Sequence, residues 1–372
     1  MTQSDGLLTA THWGNFRVRV DSQGELEAVP SESDLSPSLI GRNLRATRNR
    51  DCRIARPMVR EGYLRQGRNS DGSDRGRERF VALDWDEALD LAAEAIRDVR
   101  ARRGDSAVYG SSYGWSSAGR FHHAQSQIHR FLRMGGGYTD SVNDYSAGAG
   151  QVIAPHVVGM SLYAACGEAP SAHDIAANCK LILCFGGLGL KNNQVSPGGI
   201  GSHGAEAHLR TLKQAGVHFI SISAIRDDTA DLLDAEWLPC RPNSDVALML
   251  GLCHVLLVSN LHDRHFLAKY CHGFERVAEY LLGSKDGQPK DADWASQLTG
   301  IPAARIRELA LRLSSERSII GLSLSLQQDN TGSKPIGPAQ RLRPCLDISD
   351  FRAAALSMVT AFSIRVSRSA SA

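Results

Sequence analysis

Three side chains between residues 109 and 159 have types and positions that suit a cofactor site. Tyr113 and Trp115 lie in a Ser-Tyr-Gly-Trp turn that follows residues 107–111, a short apolar segment typical of a strand. Ser146 precedes an Ala/Gly run that predicts the start of a helix. A serine oxygen there could bind a metal ion, and two aromatic rings beside a glycine could face a cofactor. Each has an ordinary alternative, because serine is a common helix N-cap and aromatic rings commonly fill cores.

The elements that must position these residues follow an α/β pattern. Residues 181–185 form a continuous apolar run of buried-strand length that ends at two glycines. Residues 205–214 predict a helix and 217–222 predict the next strand, so the order implies a right-handed βαβ unit in a parallel sheet. Ligands of such sheets bind beyond the carboxyl ends of the strands. We therefore expect residues 186–194 and 223–229 to line a binding site.

Further helix and strand signals flank this unit. Asp84 and Glu87 fit a capping box, and the apolar stripe that follows predicts a helix that a glycine closes. Residues 246–258 and 303–314 have the apolar spacing of helices, and residues 318–325 predict a strand. The chain therefore combines helices with strands of a parallel sheet.

The N-terminal region predicts a small antiparallel β structure. Residues 16–20 alternate apolar and charged side chains, and a turn separates them from a return strand over 25–29. An Arg/Gly-rich stretch follows, which has the composition of a solvated loop. We expect three regions: a β-rich region with this loop over 1–80, an α/β cofactor-binding region over 81–332, and a disordered tail over 333–372.

Composition narrows the class of protein. The 372 residues are 42% hydrophobic and 22% charged, with a formal net charge of +2, which is typical of a globular chain and favours no nucleic-acid partner. The eight cysteines include no C-x-x-C pair, so an iron–sulfur cluster is not expected. No apolar run is long enough to span a bilayer, and no export signal is recognisable at the N-terminus, so we expect a cytoplasmic protein.

The ordered motifs resemble those of the serine-ligated molybdenum reductases of S-oxides and N-oxides, which include dimethyl-sulfoxide, trimethylamine-N-oxide and biotin-sulfoxide reductases. That family has a SYGW turn, an AGG(Y/F) step and a DYSTGAAQ string before a PHVVG-like segment. Matching pieces stand in the same order at residues 112–115, 134–138 and 144–151. Ala147 and Gly150 replace the family's threonine and alanine.

The resemblance extends to three later loops, at residues 185–195, 223–230 and 241–251. Family members use these loops to hold a guanine dinucleotide form of molybdopterin, so the resemblance implies molybdenum and a bis(molybdopterin guanine dinucleotide) cofactor. The implied cofactor-binding residues are Trp115, Lys191, Asn193, Ser223, Arg226 and Asp245. Ordinary surface charge would also explain Lys191 and Arg226, and Asp245 could be the N-cap of the helix over 246–258.

The resemblance also implies catalytic roles. Ser146 would be the metal ligand, because a hard oxygen donor suits a high-valent metal. Tyr113 would donate a hydrogen bond to the oxygen that is transferred, and Trp115 would exclude water. The implied activity is reduction of a small S-oxide or N-oxide with an unidentified electron donor. Biotin sulfoxide and methionine sulfoxide are favoured among substrates, because the expected cytoplasmic location is like that of the biotin-sulfoxide branch.

The resemblance ends at Gly332. Residues 333–340 can be encoded so that a reading frame one base away gives EQTYWASA, which matches the family's continuation. This predicts a frameshift near codon 332 and a truncated, inactive reductase. A non-catalytic fragment that binds nucleotide, or binds nothing, is the alternative. A nicotinamide-dependent dehydrogenase is disfavoured, because no G-x-G-x-x-G follows residues 181–185.

Overall fold

The computed structural model describes residues 6–48, 51, 53–112, 123–142, 146–167 and 169–328. The chain divides into two compact units. The first comprises Met1–Val142 and Asn193–Gly204, and the second comprises Asn143–Asn192 and Ala205–Ala372. Both units contain described residues. The region boundaries at residues 80 and 332 stay predictions, and the tail from residue 333 lies outside the described residues.

The first unit begins with a three-stranded antiparallel sheet, as its alternating sequence predicts. Strands β1 (Leu7–Thr11), β2 (Gly14–Val20) and β3 (Leu26–Pro30) pair in the order β1-β2-β3. The turn between β2 and β3 is fixed by Asp21, whose carboxylate accepts main-chain N–H bonds of 2.8 and 2.9 Å from Gln23 and Glu25. These bonds lower the pKa of Asp21, the bond from Glu25 contributing most.

The rest of the first unit is a short hairpin with helices. Strand β4 (Met58–Arg60) pairs antiparallel with β5 (Phe80–Ala82), and helix α1 (Glu61–Gln66) lies between them in the chain. Helix α2 (Trp85–Arg103) begins where predicted, because the Asp84 carboxylate accepts the Glu87 N–H at 2.9 Å. None of its residues is fully buried among the described residues: Ile96 and Val99 of the apolar stripe are half-buried, and Leu89 is 58% exposed.

Arg100 on α2 determines the end of the next helix, α3 (Ala124–Met134). Its guanidinium donates to the carbonyl oxygens of Leu132 and Gly137, at 3.2 and 2.9 Å, and to that of Gly135. Carbonyl groups at a helix end lack partners within the helix, so the arginine acts as a C-terminal cap. A Cβ on Gly135 would overlap the guanidinium, which explains the first of the three consecutive glycines at 135–137.

The strand predicted over residues 107–111 is wrong. Asp105–Ala107 form a 3₁₀ turn, and Tyr109 forms only an isolated bridge with Thr139. The apolar segment is short and is followed at once by glycine and serine, so a single pair of residues aligns. The Thr139 hydroxyl also donates to the Ser106 carbonyl at 2.7 Å, which adds a second contact between the two segments.

The second unit contains the predicted parallel sheet. Its strands are β6 (Leu181–Phe185), β7 (His218–Ser223), β8 (Glu236–Pro239) and β9 (Ser318–Leu322), in the order β8-β7-β6-β9. All pairings are parallel. All five residues of β6 are buried, which is why this strand is a continuous apolar run in the sequence. The mixed α/β fold predicted from the sequence is confirmed.

The described part of the second unit contains nine α-helices, and several of them cover the two faces of the sheet. In chain order they are α4 (Gly148–Val157), α5 (Leu162–Gly167), α6 (Ala172–Asn178), α7 (Ala205–Gln214), α8 (Asp245–Val258), α9 (Arg264–Tyr270), α10 (Phe274–Leu281), α11 (Ala292–Thr299) and α12 (Ala303–Ser315). Leu181, Leu183 and Phe185 pack with α8, α11 and α12 on one face. Ile182 and Cys184 pack with α7 on the other, as the alternation of a strand requires.

The buried strand β6 yields a stability prediction. Leu183 is completely buried, so Leu183→Ala leaves a cavity and should lower the free energy of unfolding by about 2–5 kcal/mol. Leu311→Ala on α12 is the matched control, because Leu311 is half exposed and should lose well under half of that. Chemical denaturation of the two variants measures the difference, and equal losses would contradict the assignment of β6 to the core.

Candidate cofactor site

A cavity of about 350 Å³ lies beyond the carboxyl ends of the four parallel strands in the second unit. The loop after β6 contributes Gly186 and Asn192, and the loop after β7 contributes Ser223, Ala224 and Asp228. The segment from β8 into α8 contributes Cys240, Arg241, Pro242, Asn243, Asp245 and Val246, and the segment after β9 contributes Ser323, Ser325 and Leu326. The segments that follow all four strands therefore line one cavity, which lies at the edge where parallel sheets bind ligands.

The loops after β6 and β7 are joined main chain to main chain. The Leu188 N–H donates to the Asp228 carbonyl at 2.8 Å, and the Ala230 N–H donates back to the Leu188 carbonyl at 3.1 Å. This close approach needs glycine at position 187, which has φ +86° and whose Cβ would overlap the Asp228 carbonyl. The glycine turn thus sets the position of Asp228 on the cavity wall.

Ser223 lines the cavity but uses its hydroxyl inside the loop. Its Oγ donates to the Ile225 carbonyl at 2.7 Å, and the Trp237 indole N–H lies 3.2 Å from both the Oγ and the carbonyl oxygen of Ser223. The residue is buried. Ser223 therefore shapes the wall by holding the loop, and its main chain is what a ligand would meet.

The segment that enters α8 is held by a second small network. The Ser244 hydroxyl donates to the Arg241 carbonyl at 2.6 Å and lies 3.2 Å from the Cys240 Sγ. Burial raises the pKa of Cys240 to about 11, so Cys240 is a thiol at neutral pH. Ser244, and not Asp245, is the N-cap residue of α8, so the alternative reading of Asp245 as the cap is wrong.

Arg241 is the one lysine or arginine among the cavity-lining residues that the structure describes. Its Nη1 donates to the Gln297 carbonyl at 2.6 Å, and its main-chain N–H donates to the Thr299 carbonyl at 3.0 Å. Both acceptors lie at the end of α11, where carbonyl groups attract a cation. Asp228 and Asp245 line the same cavity, and the Asp228 carboxylate lies 3.2 Å from the Lys191 ammonium. The lining residues therefore include two acidic residues and one basic residue.

Two of the five predicted cofactor-binding residues within the described residues line the cavity: Ser223 and Asp245. Arg226 lies exposed on the 3₁₀ turn Arg226–Asp228. Lys191 does not line the cavity. Its ammonium lies 3.1 Å from the Asp227 carboxylate and 3.2 Å from the carboxylate of the wall residue Asp228. The hydrogen bond to Asp227, followed by that to Asp228, raises the pKa of Lys191.

Sequence reasoning missed several wall residues. The first is Asn192, which lines the cavity. Its neighbour Asn193 was predicted instead, and that residue belongs to the segment that groups with the first unit. Asn243 has the left-handed φ of +67°, a conformation that asparagine tolerates, and the Arg-Pro-Asn sequence was the available signal for it. The Ser-x-Ser segment after β9 places Ser323 and Ser325 on the wall, with their hydroxyl oxygens 2.7 Å apart.

Ser146 stands in the turn before α4 and is exposed. The N-cap residue of α4 is Ala147, with φ −141°, so Ser146 stands one position before the N-cap position that the sequence predicted for it. Helix α4 packs against the 3₁₀ segment Leu324–Gln328, which carries part of the cavity wall. Tyr113 and Trp115, the other predicted active-site residues, lie outside the described residues.

The residues present fit a phosphate-bearing cofactor with a polar base. A glycine turn allows close main-chain approach, since a Cβ on Gly186 would lie 2.5 Å from the Ser323 Cβ. Carboxylate and guanidinium groups supply acceptors and positive charge. Ser146 supplies a hydroxyl oxygen from the turn before α4.

Comparison with known proteins agrees with the motif analysis. The sequence profile described as molybdopterin oxidoreductase matches residues 53–342. The biotin sulfoxide reductase of Cereibacter sphaeroides is 43% identical over 311 residues, which cover 83% of this chain and 42% of that protein. The dimethyl sulfoxide/trimethylamine N-oxide reductase of Rhodobacter capsulatus is 36% identical over 88% of this chain and 40% of its own length. Trimethylamine-N-oxide reductase 1 of Escherichia coli K12 is 39% identical over 89% of this chain and 39% of its own length.

The fold has a counterpart among solved structures. Acetylene hydratase from Pelobacter acetylenicus superposes with a TM-score of 0.55 at 20% identity, over 96% of this chain and 44% of that one. This similarity concerns the fold. The chain spans about two fifths of the length of the curated relatives that it matches.

The glycine turn gives a test of the cavity wall. Gly187→Ala must relieve an overlap with the Asp228 carbonyl, whereas Gly216→Ala, the matched control, adds a Cβ at φ +78° with no neighbour within 4 Å. We expect Gly187→Ala to lower the free energy of unfolding by about 1–3 kcal/mol more than the control. Hydrogen exchange should rise at residues 187–188 and 228–230. Equal destabilisation by the two variants would contradict the described contact.

Proposed function

The chain belongs to the molybdopterin oxidoreductase family, and we propose that it holds a molybdopterin guanine dinucleotide with the nucleotide end in the cavity of the second unit. The observation that carries this proposal is that four carboxyl-end loops of a parallel sheet line one cavity, and that two aspartates and one arginine are among the lining residues. The family membership supplies the pterin, and the wall chemistry supports the nucleotide.

Guanine suits this wall because of its donors. Its ring N–H and exocyclic amine point in one direction, and a carboxylate with two oxygens can accept both hydrogen bonds. Asp245, at the start of α8, or Asp228 would supply that carboxylate. Adenine has a ring acceptor at the corresponding position and would face the carboxylate unfavourably. Arg241 would supply positive charge toward the diphosphate.

The whole enzyme is proposed to be a molybdenum-dependent reductase of S-oxides or N-oxides. When bound, the molybdenum cofactor supplies the two-electron chemistry that removes an oxygen atom from such a substrate. Ser146 would provide a hard oxygen ligand from the turn before α4. Tyr113 would donate a hydrogen bond to the substrate oxygen, and Trp115 would keep water from the site and contact the cofactor.

The remaining assignments rest on the motifs alone. Lys191, Asn193 and Arg226 stay predicted cofactor-binding residues. The names of the relatives support biotin sulfoxide, dimethyl sulfoxide and trimethylamine N-oxide as substrate candidates, and methionine sulfoxide shares their chemistry. The electron donor is a separate, unidentified partner. Within the described residues, no helix has the length and apolar character that crossing a membrane requires.

A reading-frame change near codon 332 is proposed to separate this chain from the rest of the reductase. The alternative function, a non-catalytic fragment that binds nucleotide without metal, is favoured by the same cavity. Sequencing the coding DNA across codons 325–345 decides between them. A frame that continues into reductase sequence assigns the activity to the longer protein, and an intact frame with a stop after Ala372 leaves the fragment as the product.

The nucleotide site predicts a binding preference. The purified chain should bind guanosine diphosphate, and Asp245→Asn should weaken that binding about tenfold or more, because a charge-assisted pair of hydrogen bonds is lost. Asp234→Asn is the control, since Asp234 is 92% exposed and lies off the cavity wall, and the affinity of this variant should stay within about twofold of the natural chain. Isothermal titration calorimetry measures both.

Adenosine diphosphate provides the comparison ligand for this experiment. It should bind at least about tenfold more weakly than guanosine diphosphate, because a ring acceptor replaces a donor opposite the carboxylate. Equal binding of the two nucleotides, or an unchanged affinity in Asp245→Asn, would contradict base recognition by this wall.

The ligand role of Ser146 predicts a loss of metal chemistry. In the reductase with its reading frame restored, Ser146→Ala should lower turnover of biotin sulfoxide by at least about a hundredfold, a typical cost of losing a group that acts at the reacting centre. The electronic spectrum of the bound metal should change as well. Ser141→Ala, at an exposed serine of the first unit, is the control. Unchanged turnover and an unchanged spectrum would refute the ligand assignment.

A further inference from the structure

The first unit contains a buried pair of titratable groups that the proposed cofactor site does not use. The His203 and Asp34 side chains are 4% and 2% exposed, and the His203 Nδ1 lies 2.8 Å from the Asp34 Oδ2. The main-chain N–H of His203 donates to the Asp34 Oδ1, also at 2.8 Å. The two residues are 169 positions apart in the sequence, so the pair fixes a long-range contact.

This pair holds the end of the segment Asn193–Gly204, which belongs to the first unit although the chain before and after it belongs to the second. Two further bonds attach the segment to the N-terminal region. The Ser196 N–H donates to the His12 carbonyl at 2.8 Å, and the Leu35 N–H donates to the Ser202 hydroxyl at 3.2 Å. His203 is the residue of this segment whose side chain makes a buried ionic contact.

Both ring nitrogens of His203 face hydrogen-bond acceptors. Nδ1 faces the Asp34 carboxylate, and Nε2 lies 3.1 Å from the carbonyl oxygen of Gln194. A neutral imidazole has one N–H, so one of these contacts would place a nitrogen lone pair against an oxygen lone pair. An imidazolium donates to both acceptors. The geometry therefore requires two ring protons, and the buried carboxylate supplies the charge that balances them.

We propose that His203 is a buried imidazolium whose two ring N–H groups hold residues 193–204 in place as a latch. One N–H donates to Asp34 and attaches the segment to the N-terminal region, and the other donates to the Gln194 carbonyl and closes the segment on itself. This inference is independent of the proposed function.

The effect of acidic pH on the latch follows from the pKa of Asp34. Burial by itself raises the pKa of Asp34, but hydrogen bonds from the main chain and ring of His203, and from the Ser36 N–H, outweigh burial and lower it. Among the described residues, His203 is the charged group that acts on this carboxylate. A lowered pKa means that Asp34 stabilises the fold above its unfolded pKa of about 3.9, and that this stability is lost as the pH falls below that value.

The protonation state can be observed directly. Long-range proton–nitrogen NMR spectra of the full chain with ¹⁵N-labelled histidine distinguish a protonated ring nitrogen from an unprotonated one, and His203→Gln identifies the resonances. We expect both nitrogens of His203 to carry protons at pH 7. A single protonated nitrogen at that pH would overturn the proposal, whether or not the variant folds, because the spectrum is that of the natural sequence.

Hydrogen exchange measured by mass spectrometry tests the latch itself. In the full chain at pH 7, removal of the Asp34 charge should increase exchange at residues 193–204. Exchange at β6 should not change. No increase in the segment, or an equal increase in β6, would overturn the proposal.

A charge-removing variant gives the matched comparison. Asp34→Asn keeps the size of the side chain but removes the counter-charge of the ring, so exchange at 193–204 should be about a hundredfold faster at pH 7. Asp234→Asn, at a 92% exposed carboxylate with a left-handed φ, is the control and should leave the segment unchanged. A variant Asp34→Asn that keeps the natural exchange profile would contradict the latch.

Discussion

The second unit depends on the burial of one strand. Five consecutive apolar residues, Leu181–Phe185, must lose contact with water on both faces and satisfy their main-chain groups on both edges. Strands β7 and β9 satisfy the edges, and helices on opposite faces cover the alternate side chains. Once these partners are in place, the carboxyl ends of all four strands meet at one edge. The polar loops that follow the four strands leave the sheet at this edge, and the cavity lies between them.

Local pattern was enough to predict most of these elements. Helix α7 has the bounds that its sequence predicts, and the capping aspartate of α2 makes the expected bond. The family and the α/β fold are also confirmed. The strand that was wrongly predicted at 107–111 shows what local sequence pattern cannot predict. Apolar residues form a strand only if a neighbouring segment pairs with them along their length. The one pairing residue, Thr139, lies far away in the sequence.

The site was predictable at the level of loops and not of side chains. Motif similarity located the loops after β6 and β7, but turn geometry determines which neighbour faces the cavity, so Asn192 and Asp228 line it while Lys191 and Arg226 do not. Sequence reasoning favoured cations for a diphosphate, whereas the wall carries two carboxylates and one guanidinium. The pairing of Asp34 with His203 has no local signal at all, since it joins distant segments. Tyr113, Trp115, the tail and the cytoplasmic location stay predictions.

The order of the strands in the sheet has a consequence for how the chain folds during synthesis. Strand β9 is translated roughly 140 residues after β6, its neighbour in the sheet. At a typical rate of about 5–20 residues per second, one edge of a fully apolar strand waits roughly 7–30 seconds for its partner. An unpaired edge of this kind recruits other strands and aggregates. The nascent chain therefore carries this unpaired edge of β6 while all residues between β6 and β9 are translated, and translation speed over that whole interval sets the duration of the exposure.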